Sequence, residues 1–235
     1  MIKAVLFDLD GTLLPMDRDE FTKTYFGLLS KRFVSLGYDP RKFVDVMWVA
    51  TKAMMKNDGS KTNEQVFWDT FARGFDEKPR KNIDEFDNFY QNEFDQIKLI
   101  CSYNPAAAKI IETVKEKKMK VVLATNPIFP EIATKKRILW AGVKPEDFEL
   151  ITIYDNSNFC KPNPAYYLDV AKKIGVKPHE CLMVGNDVTE DMVAKQVGMQ
   201  AFLVTDCLEN KQNLDISQFP HGSLKSAVEF IEKIK

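Results

Sequence analysis

The chain has 235 residues, of which 45% are hydrophobic and 29% charged, a composition typical of a globular protein with room for one domain and an insert, or for two small domains. A formal net charge of −1 gives no electrostatic basis for binding nucleic acid or an anionic membrane, so a site for an anionic ligand has to be local. Four dispersed cysteines and two histidines argue against a zinc site. The N-terminal residues show neither a signal peptide nor a membrane span, so we expect a cytoplasmic protein with free thiols.

The first predicted element is a buried strand from Ile2 to Phe7, since this apolar run is too short for a helix and ends at the turn signal Asp10-Gly11. Residues two apart on a strand share a face, so Asp8 and Asp10 can project together from its carboxyl end, where open α/β sheets bind ligands. Adjacent carboxylates repel unless a cation or a shared proton relieves them, and Mg²⁺ prefers such hard oxygen donors. Considered alone, a strand ending in an Asp-Gly turn explains the stretch equally well.

Four amphipathic helices follow, with no strand between them. Capping and stop signals place these helices at about residues 17–37, 39–59, 62–74 and 84–97. Asp17 and Asp39 are the predicted N-caps of the first two, and Thr62 with Gln65 forms a capping box at the start of the third. Their aromatic and methionine side chains recur at helical spacing and are interpreted as the core of a bundle. The sequence therefore predicts an all-helical insert over residues 15–99.

From about residue 102 the chain alternates between helices and short apolar strands. Strands are predicted over residues 119–124, 149–154, 181–184 and 200–204, and helices over 104–117, 130–140, 164–174, 189–197 and 223–234. This alternation specifies a mostly parallel sheet that is covered by helices on both faces. We predict an α/β fold with a Rossmann-like three-layer core, formed by residues 1–14 and 100–235, in which residues 205–222 form a long polar loop.

Small or polar residues of a particular kind follow the predicted strands. They are Asp8 and Asp10 after the first strand, Thr125 and Asn126 after the second, Lys161 beyond the third, and Gly185, Asn186, Asp187 and Asp191 after the fourth. The carboxyl ends of parallel strands share one edge of a sheet, so these groups are expected to meet there as a site for a phosphoryl group and its metal. Taken singly, Thr125 is more simply a strand-end hydroxyl, and Lys161 a solvated loop cation.

At this point the chain resembles the haloacid dehalogenase-like hydrolase superfamily, over its whole length. The stretch Asp8-Leu9-Asp10-Gly11-Thr12-Leu13 is similar to the first signature of that family. Thr125, Lys161 before a proline, and the Gly-Asn-Asp run that ends at Asp191 are similar to the other three, in the same order. The helical insert resembles the small helical cap that closes over the substrate.

The resemblance implies a role for each matching position. Asp8 would be the nucleophile that forms an aspartyl-phosphate, and Asp10 would protonate the leaving oxygen and later take a proton from water. An Asp at position 10 implies phosphoryl transfer rather than dehalogenation. The residues that the resemblance assigns to phosphate binding are Gly11, Thr125, Asn126 and Lys161, and Lys161 would also neutralise charge on Asp8.

The resemblance also implies a Mg²⁺ site, made by the Asp8 carboxylate, the Asp10 carbonyl and an acid in the fourth loop. This loop departs from the family, since Asn186 stands where many members have Asp. Either Asp187 binds the metal through a shifted loop or Asn186 does so through its amide oxygen, and we favour Asp187. Asp191 would orient the site or hold Lys161, although an acid that only caps the next helix explains it as well.

The expected function is the Mg²⁺-dependent hydrolysis of a small phosphate monoester. A phosphomutase that uses the same intermediate and a non-catalytic phosphate-binding module are the alternatives. The expected partner is a small phosphorylated metabolite, with no nucleic acid and no membrane, and the expected state is a monomer or weak dimer. Near the hinge of the helical insert, Met16, Asp17 and Arg18 are the candidates for facing the site, because they follow the catalytic loop.

Overall fold

A computed structural model describes residues 1–76 and 78–234, apart from the side chain of Lys78. Its centre is a sheet of six parallel strands in the order β3-β2-β1-β4-β5-β6. The strands are β1 (Ala4–Phe7), β2 (Lys120–Leu123), β3 (Leu150–Ile151), β4 (Cys181–Gly185), β5 (Gln200–Val204) and β6 (His221–Gly222). The strand order reverses beside β1, which leaves a crevice between the loops that follow β1 and β4.

Helices cover both faces of the sheet. They are α5 (Ala106–Glu116), α6 (Glu131–Trp140), α7 (Pro164–Lys173) and α8 (Leu224–Glu232), numbered after the four helices described next. Alternate residues of β1 belong to different hydrophobic clusters. Val5 and Phe7 pack with α5, α6 and α8, whereas Ala4 and Leu6 pack with α7. The predicted three-layer α/β core is therefore confirmed.

Four α-helices lie between β1 and α5. They are α1 (Arg18–Val34), α2 (Pro40–Met55), α3 (Asn63–Arg73) and α4 (Ile83–Gln91), with 3-10 helices at Lys78–Asn82 and Glu93–Ile100. The predicted caps are confirmed, because the Asp17 and Asp39 carboxylates accept from backbone N–H groups three residues on, and Thr62 forms its capping box with Gln65. The boundaries of the insert at residues 15–99 stay a prediction, since one hydrophobic cluster runs from the sheet into the helices.

Several predicted elements are wrong in extent or type, among them the strand predicted over 149–154, which spans only Leu150–Ile151. The fourth helix ends at Gln91, where the Asn92 side chain donates to the Asn88 carbonyl at 2.8 Å, and a 3-10 helix continues the chain. The helix predicted over 189–197 is a 3-10 helix at Met192–Val197. β6 lies inside the predicted loop 205–222, and with two residues it is too short to give a sequence pattern. In the described part of the chain, no helix is both long and apolar enough to cross a membrane.

Candidate active site

A buried lysine joins two carboxylates at the carboxyl edge of the sheet. Lys161 Nζ lies 2.8 Å from Asp8 Oδ1 and 2.6 Å from Asp191 Oδ1, and the Lys161 side chain is fully buried. Burial opposes the lysine's charge, but the two carboxylates outweigh burial and raise the pKa of Lys161 well above its usual value. Asp191 fits beside Gly185 because a Cβ at that glycine would lie 2.1 Å from Asp191 Oδ2. Of the two interpretations of Asp191, the structure favours a contact with Lys161.

A single hydroxyl connects Asp8 with the fourth loop. Thr12 Oγ1 lies 3.1 Å from Asp8 Oδ2 and 2.9 Å from Asn186 Oδ1, and it has one proton to donate to the two oxygens. The Asn186 amide nitrogen donates to the Cys207 carbonyl at 2.6 Å, which leaves Oδ1 facing the Thr12 hydroxyl. Gly11 has φ +86°, and a Cβ there would lie 2.3 Å from Asn186 Nδ2, so the turn requires glycine for two reasons.

Asp10 is paired with an arginine that the sequence analysis did not identify. The buried side chain of Arg137 donates to Asp10 Oδ2, and its Nε donates to the Ala133 carbonyl of the same helix at 3.3 Å. The guanidinium also lies 4.4 Å from the centre of the Phe129 ring. Burial raises the pKa of Asp10, and Arg137 opposes that rise. The available signal was an arginine in the buried stripe of α6, one turn after Ala133.

Asp10 Oδ1 and Asn126 Oδ1 are buried and have no hydrogen-bond partner among the described residues. Both residues line the large cavity described below. The Asn126 amide nitrogen donates to Glu190 Oε2 at 3.2 Å. Buried polar atoms are usually satisfied, so each of these two oxygens can still accept a hydrogen bond from water or from a ligand.

Asp187 is committed to its own loop and to α1. Its Oδ1 accepts from the backbone N–H groups of Thr189 and Glu190, both at 2.8 Å. Its Oδ2 accepts from Arg18 Nη1 at 2.9 Å, and Arg18 Nη2 reaches Glu190 Oε1 at 3.3 Å. Asp187 thus ties the catalytic edge to the helical insert.

Oxygen atoms suitable for a hard cation come together between the first and fourth loops. The Asp8 carboxylate and the Asn186 amide oxygen approach the same Thr12 hydroxyl. Mg²⁺ is usually held by one or two carboxylates together with water and substrate phosphate, so this donor set fits the ion. Among the residues that the structure describes, no three His, Cys, Asp or Glu side chains form a metal-binding group.

A cavity of about 510 Å³ extends from these residues into the helical insert. Asp8, Asp10 and Thr125 line its inner end, and Thr125 is buried, with a backbone carbonyl that accepts from the Tyr166 hydroxyl at 2.9 Å. Aromatic rings from both sides line the rest, among them Phe21, Tyr25, Phe26, Trp48, Trp68 and Phe129. Of the three hinge candidates, Met16 and Arg18 line the cavity, whereas Asp17 caps α1.

Comparison with known proteins places this geometry among hydrolases. A family model described as a haloacid dehalogenase-like hydrolase matches residues 2–198. A glyceraldehyde 3-phosphate phosphatase of Methanopyrus kandleri is 24% identical over 204 residues, which cover 85% of this chain and 82% of that protein. The crystal structure of a HAD phosphatase from Thermococcus onnurineus has a TM-score of 0.62 at 20% identity, over 98% of each chain. A 2-haloacid dehalogenase from Pseudomonas syringae pv. tomato DC3000 has a TM-score of 0.64 at 18% identity, over 97% of each chain.

Proposed function

We propose that this chain, which belongs to the haloacid dehalogenase-like hydrolase family and is a phosphoric monoester hydrolase, acts on a small phosphate monoester. Its four motifs indicated the same family. In this proposal the reaction uses Mg²⁺ and passes through an aspartyl-phosphate on Asp8. The observation that supports this proposal is the Asp8 carboxylate at the inner end of the cavity, between the Lys161 ammonium and the Thr12 hydroxyl. An anionic nucleophile has to approach an anionic phosphate, and the buried ammonium offsets the repulsion.

In the first half of the reaction, an Asp8 oxygen bonds to phosphorus and the ester bond to the alcohol breaks. Asp10 gives the departing alcohol oxygen its proton. Asp10 suits this step because it lines the cavity and its Oδ1 has no hydrogen-bond partner among the described residues, while Arg137 holds the other oxygen. The raised pKa of Asp10 also favours a carboxyl group that carries a proton.

In the second half, water attacks the phosphorus and Asp10 takes its proton, which regenerates Asp8 and releases inorganic phosphate. Throughout, we assign the phosphoryl oxygens to the Thr125 hydroxyl, Lys161 and the backbone around Gly11 and Asn126. These residues lie on three different loops of one sheet edge, so they can surround a small tetrahedral group.

For the metal, the contacts favour Asn186 over the Asp187 that the sequence analysis favoured. Asn186 Oδ1 accepts from the Thr12 hydroxyl, which also contacts Asp8, whereas both Asp187 oxygens accept bonds from Arg18 and from backbone N–H groups. We therefore propose that the Asp8 carboxylate, the Asp10 carbonyl and the Asn186 amide oxygen would hold Mg²⁺. The bound ion would supply positive charge to the phosphoryl oxygens.

The test is phosphate release from a panel of phosphate monoesters, with and without Mg²⁺, followed by acid quench and peptide mass analysis. We expect Mg²⁺-dependent release and a peptide containing Asp8 that gains the mass of one phosphoryl group. Inorganic phosphate in large excess over any isomerised sugar phosphate distinguishes hydrolysis from a phosphomutase reaction. No release from any ester would contradict the proposal and would favour a phosphate-binding module.

A further inference from the structure

The cavity is much larger than a phosphoryl group requires. Its volume is about 510 Å³, which lies within the range of pockets that enclose whole small-molecule ligands. Asp8, Asp10 and Thr125 occupy only its inner end. Ligand pockets of this size are generally filled by the body of the ligand, so the part lined by the helical insert is available to the alcohol half of the substrate.

Aromatic side chains dominate the lining of that outer part. Phe129 lies on the loop after β2, and its ring centre is 5.3 Å from that of Tyr25 on α1. Towards solvent, the rings of Phe26 and Trp48 lie 5.0 Å apart, and Trp48 is 40% exposed. Rings of this kind prefer a ring partner in an offset or edge-on arrangement, so an aromatic group between them would both fill the cavity and cover Trp48.

The charges of the outer part disfavour a second anion. Four carboxylates line it, those of Glu64, Asp87, Glu131 and Asp155, of which Glu131 is paired with Lys135 at 2.9 Å. Burial and the charge of Glu64 raise the pKa of Asp155 to about 6, which indicates how poorly this region accommodates negative charge.

Both lining arginines already have carboxylate partners. Arg18 is paired with Asp187 and Glu190, and Arg80 is paired with Asp69 at 2.8 Å. A second phosphate or carboxylate on the substrate would have to compete with these pairs while facing four other acids.

We propose that this site acts on a phosphate monoester whose alcohol carries an aromatic ring and no second anionic group. This inference rests on the proposed function and adds the substrate class. The phosphoryl group lies at Asp8, and the ring lies between Phe129 and the Phe26–Trp48 pair.

The first experiment compares three esters of primary alcohols with the full-length protein and Mg²⁺. They are phenethyl phosphate, which has the ring, propyl phosphate, which lacks it, and phosphoglycolate, which carries a second anion. We expect kcat/KM to fall by about tenfold or more from phenethyl phosphate to propyl phosphate, because the ring contacts are lost. We expect a further fall of about tenfold or more from propyl phosphate to phosphoglycolate, because the second anion is repelled. Phosphoglycolate as the best of the three substrates, or equal values for phenethyl and propyl phosphate, would overturn the substrate class.

The second experiment removes the ring nearest to solvent. Trp48→Ala should lower the ratio of kcat/KM for phenethyl phosphate over propyl phosphate by about tenfold, mainly through KM. Trp48→Phe should retain most of the ratio, and Val49→Ala, at the exposed neighbouring position, should leave it unchanged. Because Trp48 is partly exposed, thermal unfolding of the variants should stay close to that of the wild type. An unchanged ratio in Trp48→Ala would contradict the assignment of this wall to the ring.

The third experiment tests the charges. The double variant Glu64→Gln with Asp155→Asn should raise kcat/KM for phosphoglycolate several-fold relative to propyl phosphate, because two of the lining carboxylates that repel its second anion are gone. A ratio that does not rise would overturn the charge argument. Each of these outcomes concerns a ratio of kcat/KM values between esters that are still hydrolysed. If the proposed function itself were wrong, neither the three esters nor p-nitrophenyl phosphate would release phosphate.

Discussion

Two fully buried cations flank the loop that follows β1, and they are built differently. Lys161 bridges two carboxylates, Asp8 and Asp191, that come from different loops. Arg137 is paired with one carboxylate, Asp10, and is fixed by its own helix and by the Phe129 ring. An ammonium is a point charge on a flexible stem, whereas a guanidinium is a planar fork that fixes direction.

The difference indicates two tasks at adjacent positions. In the proposed mechanism, Lys161 would neutralise negative charge on Asp8 and on the phosphoryl group, while its contact with Asp191 fixes the position of the ammonium. Arg137 holds one oxygen of Asp10, and the other has no hydrogen-bond partner among the described residues. We therefore expect the Lys161 pair to serve phosphoryl transfer itself, and the Arg137 pair to serve the leaving group. The following substitutions test this division.

The largest effect is expected from Asp8→Asn. An amide cannot act as the nucleophile, so turnover should fall on the order of 10⁴-fold or more. Lys161 keeps its contact with Asp191, so the thermal unfolding temperature should change little. Phosphate release and circular dichroism are the two measurements. Undiminished release from a folded variant would refute the assignment of Asp8.

Lys161→Met should reduce both activity and stability. Without the ammonium, Asp8 and Asp191 face each other in a buried site, and removing one partner of a buried pair costs about 3–5 kcal/mol. Urea unfolding measures this loss, and phosphate release should fall on the order of 10²-fold or more. Lys172→Met, an exposed lysine on α7, is the matched control and should lose neither.

The stability loss of Lys161→Met should depend on pH. Burial raises the pKa of Asp191, and Lys161 opposes that rise, so the variant removes the opposition. A carboxyl group whose pKa is higher in the folded protein stabilises below its unfolded value and loses that contribution as pH rises through the folded value. The deficit relative to the wild type should therefore be smaller at about pH 5 than at about pH 8. An equal deficit at both values would mean that Asp191 does not take up the proton.

Arg137→Met should have an effect that depends on the leaving group. An alkyl phosphate needs its alcohol protonated, so misplacing Asp10 should lower kcat/KM, which reports the steps up to loss of the alcohol, about 10²-fold. p-Nitrophenolate departs without protonation, so kcat/KM for p-nitrophenyl phosphate should fall far less. Arg137→Lys, which keeps the charge without the fork, should lie between, and Arg137→Met should add little to Asp10→Asn. Equal losses of kcat/KM for both esters would contradict a role of Arg137 in protonating the leaving group.

The parts of the site differ in how far the sequence predicts them. Helix caps such as Asp17 and Thr62 depend on neighbours within three residues, so the local sequence is sufficient to predict them. The four motifs lie at the ends of predicted strands and are also visible in the local sequence. Arg137 occupies an apolar position of a helix, where its partner 127 residues away gives no local signal. The same limit applies to the fourth loop. Contacts with Cys207 and with Arg18 decide the orientations of Asn186 and Asp187, and neither contact can be inferred from the motif itself.

Asn186→Asp should have the smallest effect and bears on the metal. If Asn186 is the ligand in the fourth loop, a carboxylate there should lower the Mg²⁺ concentration needed for half-maximal activity by about tenfold at most. The reason is that an anionic oxygen replaces a neutral one at the same position. The rise of the thermal unfolding temperature on adding Mg²⁺ should shift to lower concentrations in parallel, and this measurement reports Mg²⁺ binding without substrate turnover. Asp187→Asn provides the comparison. It should weaken the contact with Arg18 and leave the Mg²⁺ titration nearly unchanged. A titration that moves with position 187 and not with position 186 would return the ligand to Asp187 and would mean that the loop shifts when the metal binds.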